Sequence, residues 1–95
     1  MAADGSTFAP GDAYRQAHRC FEIIEAALQQ LEISLLSVIR TRMYVTDISR
    51  WPEFGRAHRE FFGDHPPATT LVEVRRLIGE EMLIEVEADA VVGSD

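Results

Sequence analysis

The chain contains no lysine. All nine of its basic residues are arginines, so it cannot form a lysine Schiff base with pyridoxal phosphate or with a carbonyl substrate, and a large class of enzymes is excluded. Its one cysteine, Cys20, leaves no internal disulfide and no thiolate zinc cluster, and on a helix it reads as a small buried hydrophobe. No apolar run is long enough to span a bilayer, and Met1–Pro10 carries neither a basic residue nor an apolar core of signal-peptide type. We therefore expect no membrane association and a cytoplasmic location. Positive charge is scarce as well. The formal net charge is −7 and the arginines form no tract, which opposes a phosphate backbone, so no nucleic-acid partner is expected. The glycines are too scattered for a phosphate-cradling loop. His18, His58 and His65 lack metal-ligand spacing and read as surface or capping residues, with no metal and no cofactor expected.

What is present suits one small domain covering residues 1–95, with 1–10 flexible or irregular. A chain of this length supports one modest core, and contacts with further subunits would help it. Gly11-Asp12 is a plausible helix start. From there Ala17, Cys20 or Phe21, Ile24, Leu28 and Leu31 recur at helical spacing, predicting an amphipathic helix to about Gln30. Ser37–Thr46 alternates instead, with Ile39, Thr41, Met43 and Val45 on one face and Arg40, Arg42 and Tyr44 on the other. Asp47 or Ser49 can cap a second helix, whose stripe is Trp51, Phe54, Ala57 or His58, Phe61 and Phe62, with Gly63 as its stop. Trp51 and the Phe61-Phe62 pair read as core.

Asp64-His65-Pro66-Pro67 forbids helix and feeds an extended run from Ala68 to Leu77. Gly79 then turns the chain into a strand over Met82–Val92, and the two runs read as a hairpin. Thr70, Val72 and Val74, with Met82, Ile84, Val86, Ala88 and Ala90, are expected to face the helices. The opposite face gathers Leu71, Glu73 and Arg75 with Leu83, Glu85, Glu87, Asp89 and Val91, beside Arg40 and Arg42. Two readings of that face stay open: a solvated surface laced with cross-strand ion pairs, or a subunit interface holding a polar pocket. Glu85 and Glu87, two residues apart, also have the look of paired acid and base groups.

Several segments resemble the RidA (YjgF) family in order and spacing: Arg42–Asp47 (RMYVTD), Trp51–Phe62 ending in Glu60-Phe61-Phe62-Gly63, His65-Pro66-Pro67-Ala68, Val72-Glu73-Val74, and Ile84–Ala88 (IEVEA). The resemblance runs from about Gly11 to Val92. It implies an α+β, chorismate-mutase-like fold with two helices on one sheet face. It also implies a homotrimer or other homo-oligomer with small-molecule clefts between subunits, and cofactor-independent hydrolysis of enamines and 2-imino acids to ammonia and a 2-keto acid. Family members normally open with a pair of strands ahead of the first helix, for which this sequence has only ten residues, so an exposed sheet edge is expected.

The family site carries over unevenly. Glu85 matches the glutamate thought to position or activate the attacking water. The arginine of the family's Pro-Ala-Arg-Ser segment, whose bidentate fork grips the substrate carboxylate, is replaced here, because the segment reads Pro67-Ala68-Thr69-Thr70. A family asparagine in the second helix is Gly55, and a common cysteine is Leu71. The candidate site is therefore Glu85 as catalytic residue, with Thr69, Thr70, Gly55, Arg40, Arg42 and Arg75 as substrate-binding candidates. A deaminase-type hydrolase and a non-catalytic oligomeric binding or regulatory module both remain open.

Overall fold

The computed structural model describes residues 7–93; the larger part of the segment 1–10, expected to be irregular, lies outside them. Two helices cover one face of a three-stranded sheet. Helix α1 (Ala13–Gln30) starts where Asp12 accepts a hydrogen bond from the Arg15 amide at 2.9 Å, satisfying one of the orphan donors of the first turn. It ends in a Schellman pattern, Ile33 N–H to Leu28 O and Glu32 N–H to Gln29 O, in which Glu32 takes φ +59°, a conformation glycine normally supplies. A 3₁₀ turn at Leu35–Ser37 leads into β1 (Val38–Val45). A second 3₁₀ turn, Ile48–Arg50, is capped by Asp47 and precedes helix α2 (Trp51–Phe62). Strands β2 (Ala68–Glu73) and β3 (Ile84–Ala90) follow.

Strand β1 lies in the middle. It pairs in parallel with β2 and antiparallel with β3, so the order is β2-β1-β3. The expected hairpin of the last two strands is therefore incorrect. β1, α2 and β2 form a parallel crossover, and the connection through Gly79 carries the chain across the sheet to the far side of β1.

The register sorts the faces. Rows Thr69–Thr41–Ala88, Leu71–Met43–Val86 and Glu73–Val45–Ile84 lie on the helix side, while Ala68–Arg40–Asp89, Thr70–Arg42–Glu87 and Val72–Tyr44–Glu85 lie on the uncovered side. The expected facings of β1 and β3 hold in these rows, but β2 is turned over: Leu71 packs on the core, and Val72 is exposed. A one-residue shift exchanges the two faces of a strand. The start of β1 differs for a related reason. A bulge between Val38 and Arg40 inserts Ile39 as an extra residue, leaving it exposed and turning Val38 inward.

The core is Ala13, Ala17 and Phe21 of α1, Phe54, Ala57 and Phe62 of α2, and Val38, Met43, Val45 and Ile84 of the sheet. The small alanines let the helices approach closely, and the Phe21 ring meets the rings of His58, Phe61 and Phe62 with centroids 5.5–5.7 Å apart. Trp51 and Leu31, both placed on buried stripes by periodicity, are 58% and 68% exposed. Each sits at a helix end, beyond the layer that would cover it. Gly63 closes α2 with an ordinary helical φ of −53°. It is needed for space, since a Cβ there would lie 2.7 Å from the Arg59 carbonyl oxygen. Gln16, buried on α1, donates to the carbonyls of Ala9 and Glu81 and accepts from the Leu83 amide, tying the entry of β3 to α1.

Candidate functional site

The uncovered sheet face collects most of the ionisable candidates. Its rows place Arg40, Arg42 and Tyr44 on β1 beside Asp89, Glu87 and Glu85 on β3. Directly opposed residues do not simply pair. Arg42 reaches diagonally to Asp89 at 2.8 Å and lies 3.7 Å from Glu87, and the Tyr44 hydroxyl donates to Glu87 at 2.8 Å. Both carboxylates of the Arg42 cluster are thereby engaged. The hydrogen bond to Asp89 holds the Arg42 guanidinium above its ordinary pKa, and the bond to Glu87 raises the Tyr44 phenol. Glu85 differs from its neighbours: it is exposed on this face next to Tyr44, and among the described residues no ion pair or side-chain hydrogen bond engages it. Arg40 is likewise exposed and enters no ion pair among them.

The remaining candidates separate. Thr70 is on the open face but level with Arg42 and Glu87, and β1 lies between it and β3, a lateral distance of about 10 Å. Arg75 lies beyond the end of β2, exposed. Gly55 belongs to α2, in the helix layer, with the Arg59 Nη1 atom 3.6 Å from where its Cβ would be. Thr69, which occupies the position of the family arginine, also points to the helix side. Its hydroxyl donates to the Pro67 carbonyl at 3.0 Å and receives the Thr41 hydroxyl at 3.3 Å. Glu73, expected on the open face, instead accepts from the Ile48 amide at 3.0 Å and anchors the turn into α2. The sheet therefore brings Glu85, Arg40, Arg42 and Thr70 to one face and excludes Thr69 and Gly55 from it.

Two residues were given no part in the site by the sequence reading. Tyr44 stands between Glu85 and Val72 in register, and its place in the alternation with Arg40 and Arg42 was the available signal. His58 is buried, not at the surface, with its Nε2 atom 2.9 Å from the Thr41 hydroxyl. Burial lowers its pKa below the usual histidine value. Its position four residues after Phe54 and four before Phe62, on the sheet-facing stripe, is the pattern that carries this.

A cleft of about 230 Å³ opens beside the outer edge of β3, with Cys20, Ile23 and Ile24 of α1 on one wall, Ile84 and Val86 on the other, and Glu85 at its rim. Burial raises the Cys20 thiol pKa, which keeps it protonated and unreactive at neutral pH. Among the described residues no group of three His, Cys, Asp or Glu side chains is placed to hold a metal ion, and no helix is long and apolar enough to cross a membrane.

Comparison with known proteins agrees with this architecture. The family model described as Endoribonuclease L-PSP matches residues 1–92. A RutC family protein of Pyrococcus abyssi is 36% identical over 80 residues, covering 84% of this chain and 62% of the relative. The chain thus spans somewhat less than two thirds of that relative's length. A Mycobacterium tuberculosis structure from the YjgF/YER057c/UK114 family superposes with a TM-score of 0.85 at 46% identity, covering 92% of this chain and 74% of the other. Escherichia coli TdcF, described as a putative reactive intermediate deaminase, is 27% identical over 85 residues, covering 86% of this chain and 65% of TdcF. Its structure with bound serine superposes with a TM-score of 0.79 at 26% identity, over 88% of this chain and 68% of the other.

Proposed function

The chain belongs to the RidA/YjgF family, and on that premise we propose that it is a cofactor-independent hydrolase of small 2-imino and enamine acids, releasing ammonia and a 2-keto acid. The observation that carries the reading is Glu85, which lies on the uncovered face without an ion pair among the described residues while Glu87 and Asp89 beside it are both engaged; the family resemblance in the sequence matches it to the glutamate that handles the attacking water. A carboxylate so placed is available to hold a water molecule and accept its proton. As the water oxygen bonds to the imine carbon, the π pair of the C=N bond passes to nitrogen, which takes up a proton. The resulting carbinolamine collapses, the C–N bond breaks, and ammonia leaves as the carbonyl forms. An enamine first takes a proton at carbon and gives one up from nitrogen to become the imine.

Carboxylate recognition in this chain has to come from a residue other than Thr69. Arg40 is the guanidinium within the open sheet face that enters no ion pair among the described residues, but its row lies four residues along β1 from that of Tyr44 and Glu85, about 13 Å away. One chain cannot close both ends of a three-carbon substrate across that distance. A neighbouring subunit stacked on the open face would bring an arginine to Glu85, and the working form we propose is the homotrimer that the family resemblance implies, in the cytoplasm. The serine bound to TdcF supports a ligand of amino-acid size.

Thr69 favours a second reading. Its hydroxyl is consumed within the fold, as in a module that keeps the family scaffold and binds a metabolite without turning it over. Incubation with freshly generated 2-aminoacrylate separates the two. Keto acid forming faster than in buffer supports the hydrolase, whereas saturable binding of serine or pyruvate with no such rate supports the binding module.

A further inference from the structure

The polar contacts of the open sheet face are slipped by one row. Arg42 stands level with Glu87 but bonds to Asp89 at 2.8 Å, and Tyr44 stands level with Glu85 but donates to Glu87 at 2.8 Å. Each of these β1 side chains thus takes the carboxylate one row nearer the start of β1, a diagonal contact within reach of long side chains. A slipped ladder runs out at both ends. Arg40 would need an acid one row beyond Asp89, where β3 is followed by Val91, and Glu85 would need a donor one row beyond Tyr44, where β1 is followed by Thr46. Arg40 and Glu85 are accordingly exposed and enter no ion pair among the described residues. They stand about 13 Å apart along the strands, too far to answer one another. One positive and one negative charge are therefore left over at opposite ends of a single face.

We propose that the open face docks head to tail on further copies of this chain, so that Arg40 of one copy comes to Glu85 of the next, and that the arriving Arg40 is the guanidinium for the substrate carboxylate. A second copy is the occupant this face describes, because the charge that each end lacks is the one its other end leaves over, and around a closed ring every such end is answered. Apolar surface accompanies the charges. Val72 is exposed beside Tyr44 at the Glu85 end, and Ile39 and Val91 are exposed at the Arg40 end, which gives a neighbouring copy something to bury. The same arrangement supplies what the single chain lacks: a guanidinium within reach of a substrate held at Glu85, with a fork that matches a carboxylate. The docking stands apart from the hydrolase reading, whereas the carboxylate role rests on it.

Charge reversal tests the docking. Both positions are exposed, and neither side chain is bonded to another described residue, so Arg40→Glu and Glu85→Arg leave the fold intact. Deleting one charge of an exposed pair costs little, whereas reversal sets like charges against each other. Sedimentation velocity on the full chain should show self-association weakened at least about tenfold in either single variant and restored to within about threefold of the wild type in the double variant. Glu85→Arg is the sharper of the two. It moves the formal net charge from −7 towards neutrality, which through overall repulsion alone would strengthen association, so a weakening points to the local contact. A monomeric wild type, single variants that associate as the wild type does, or a double variant no better than the singles overturns the docking. Co-expression of Arg40→Ala with Glu85→Gln tests the carboxylate role. About one contact in four then joins an intact Glu85 to an intact Arg40 of the next copy, so 2-aminoacrylate should be turned over at up to about a quarter of the wild-type rate, although each variant alone is at least about tenfold slower. Turnover no greater than that of the separate variants overturns the role. A wild type that does not turn the substrate over refutes the hydrolase and the carboxylate role with it, while the charge reversals still decide the docking.

Discussion

Replacing Thr41 by valine removes one oxygen from the centre of the molecule and keeps the β-branched shape that suits a strand. Thr41 is fully buried and bonded to both His58 and Thr69. Without its hydroxyl, the His58 Nε2 atom retains only the 3.4 Å contact to Thr69, too long to satisfy it. Leaving a buried polar nitrogen in that state costs about 1–3 kcal/mol, and the additional buried methyl returns about 0.8 kcal/mol. The net loss of about 0.2–2 kcal/mol corresponds to a fall in melting temperature of roughly 1–15 °C for a domain of this size. Thermal unfolding followed by circular dichroism, at one protein concentration because subunit association shifts the midpoint, reads it. The double variant Thr41→Val with His58→Phe removes both partners of the bond and should be less destabilised than the sum of the two single variants, by about 1 kcal/mol or more. A T41V protein melting above the wild type, or strictly additive variants, would refute the account of the buried Thr41–His58 bond.

Phe21→Ala should be the most damaging single substitution in the helix layer, because the ring is fully buried against His58, Phe61 and Phe62; a loss of about 3–5 kcal/mol would appear as a chain largely unfolded at physiological temperature. Glu32→Gly should act in the other direction. Glycine accepts the positive φ of the α1 stop without the strain a side chain imposes, and a gain of about 0.5–1 kcal/mol is expected in chemical denaturation. Gly63→Ala should destabilise although its φ is ordinary, since the new Cβ would meet backbone oxygen at 2.7 Å and backbone cannot rotate away; a midpoint equal to wild type would show that the end of α2 is looser than described.

Much of this was legible in the sequence. The alternation of Arg40, Arg42 and Tyr44 against Thr41, Met43 and Val45 marked the two faces of β1, and the acidic face of β3 followed from Glu85, Glu87 and Asp89. Strand β2 was not legible, because Thr69-Thr70-Leu71-Val72-Glu73-Val74 offers an apolar residue to each face and only the neighbouring strand decides which is covered. The bulge at Ile39 left no local signal, since no glycine or proline marks it. Trp51 misled because helical periodicity is blind to where the sheet beneath a helix ends. His58 was assigned by residue type to the surface, although its stripe position was read; its burial depends on two threonines, from β1 and β2, that meet its Nε2 atom. The candidate site shows the same division. The identity of Glu85 came from motif and facing, whereas the diversion of Thr69 into the fold depends on the register of an edge strand.

The central proposal concerns Glu85, and one measurement addresses it most directly: the rate of keto-acid formation from 2-aminoacrylate by the wild-type protein and by Glu85→Gln, which retains the shape and loses the base. The account predicts turnover above buffer for the wild type and a fall of about 10²–10⁴-fold in the variant, with the oligomeric state unchanged. A variant as fast as the wild type, or a wild type no faster than buffer, would contradict it.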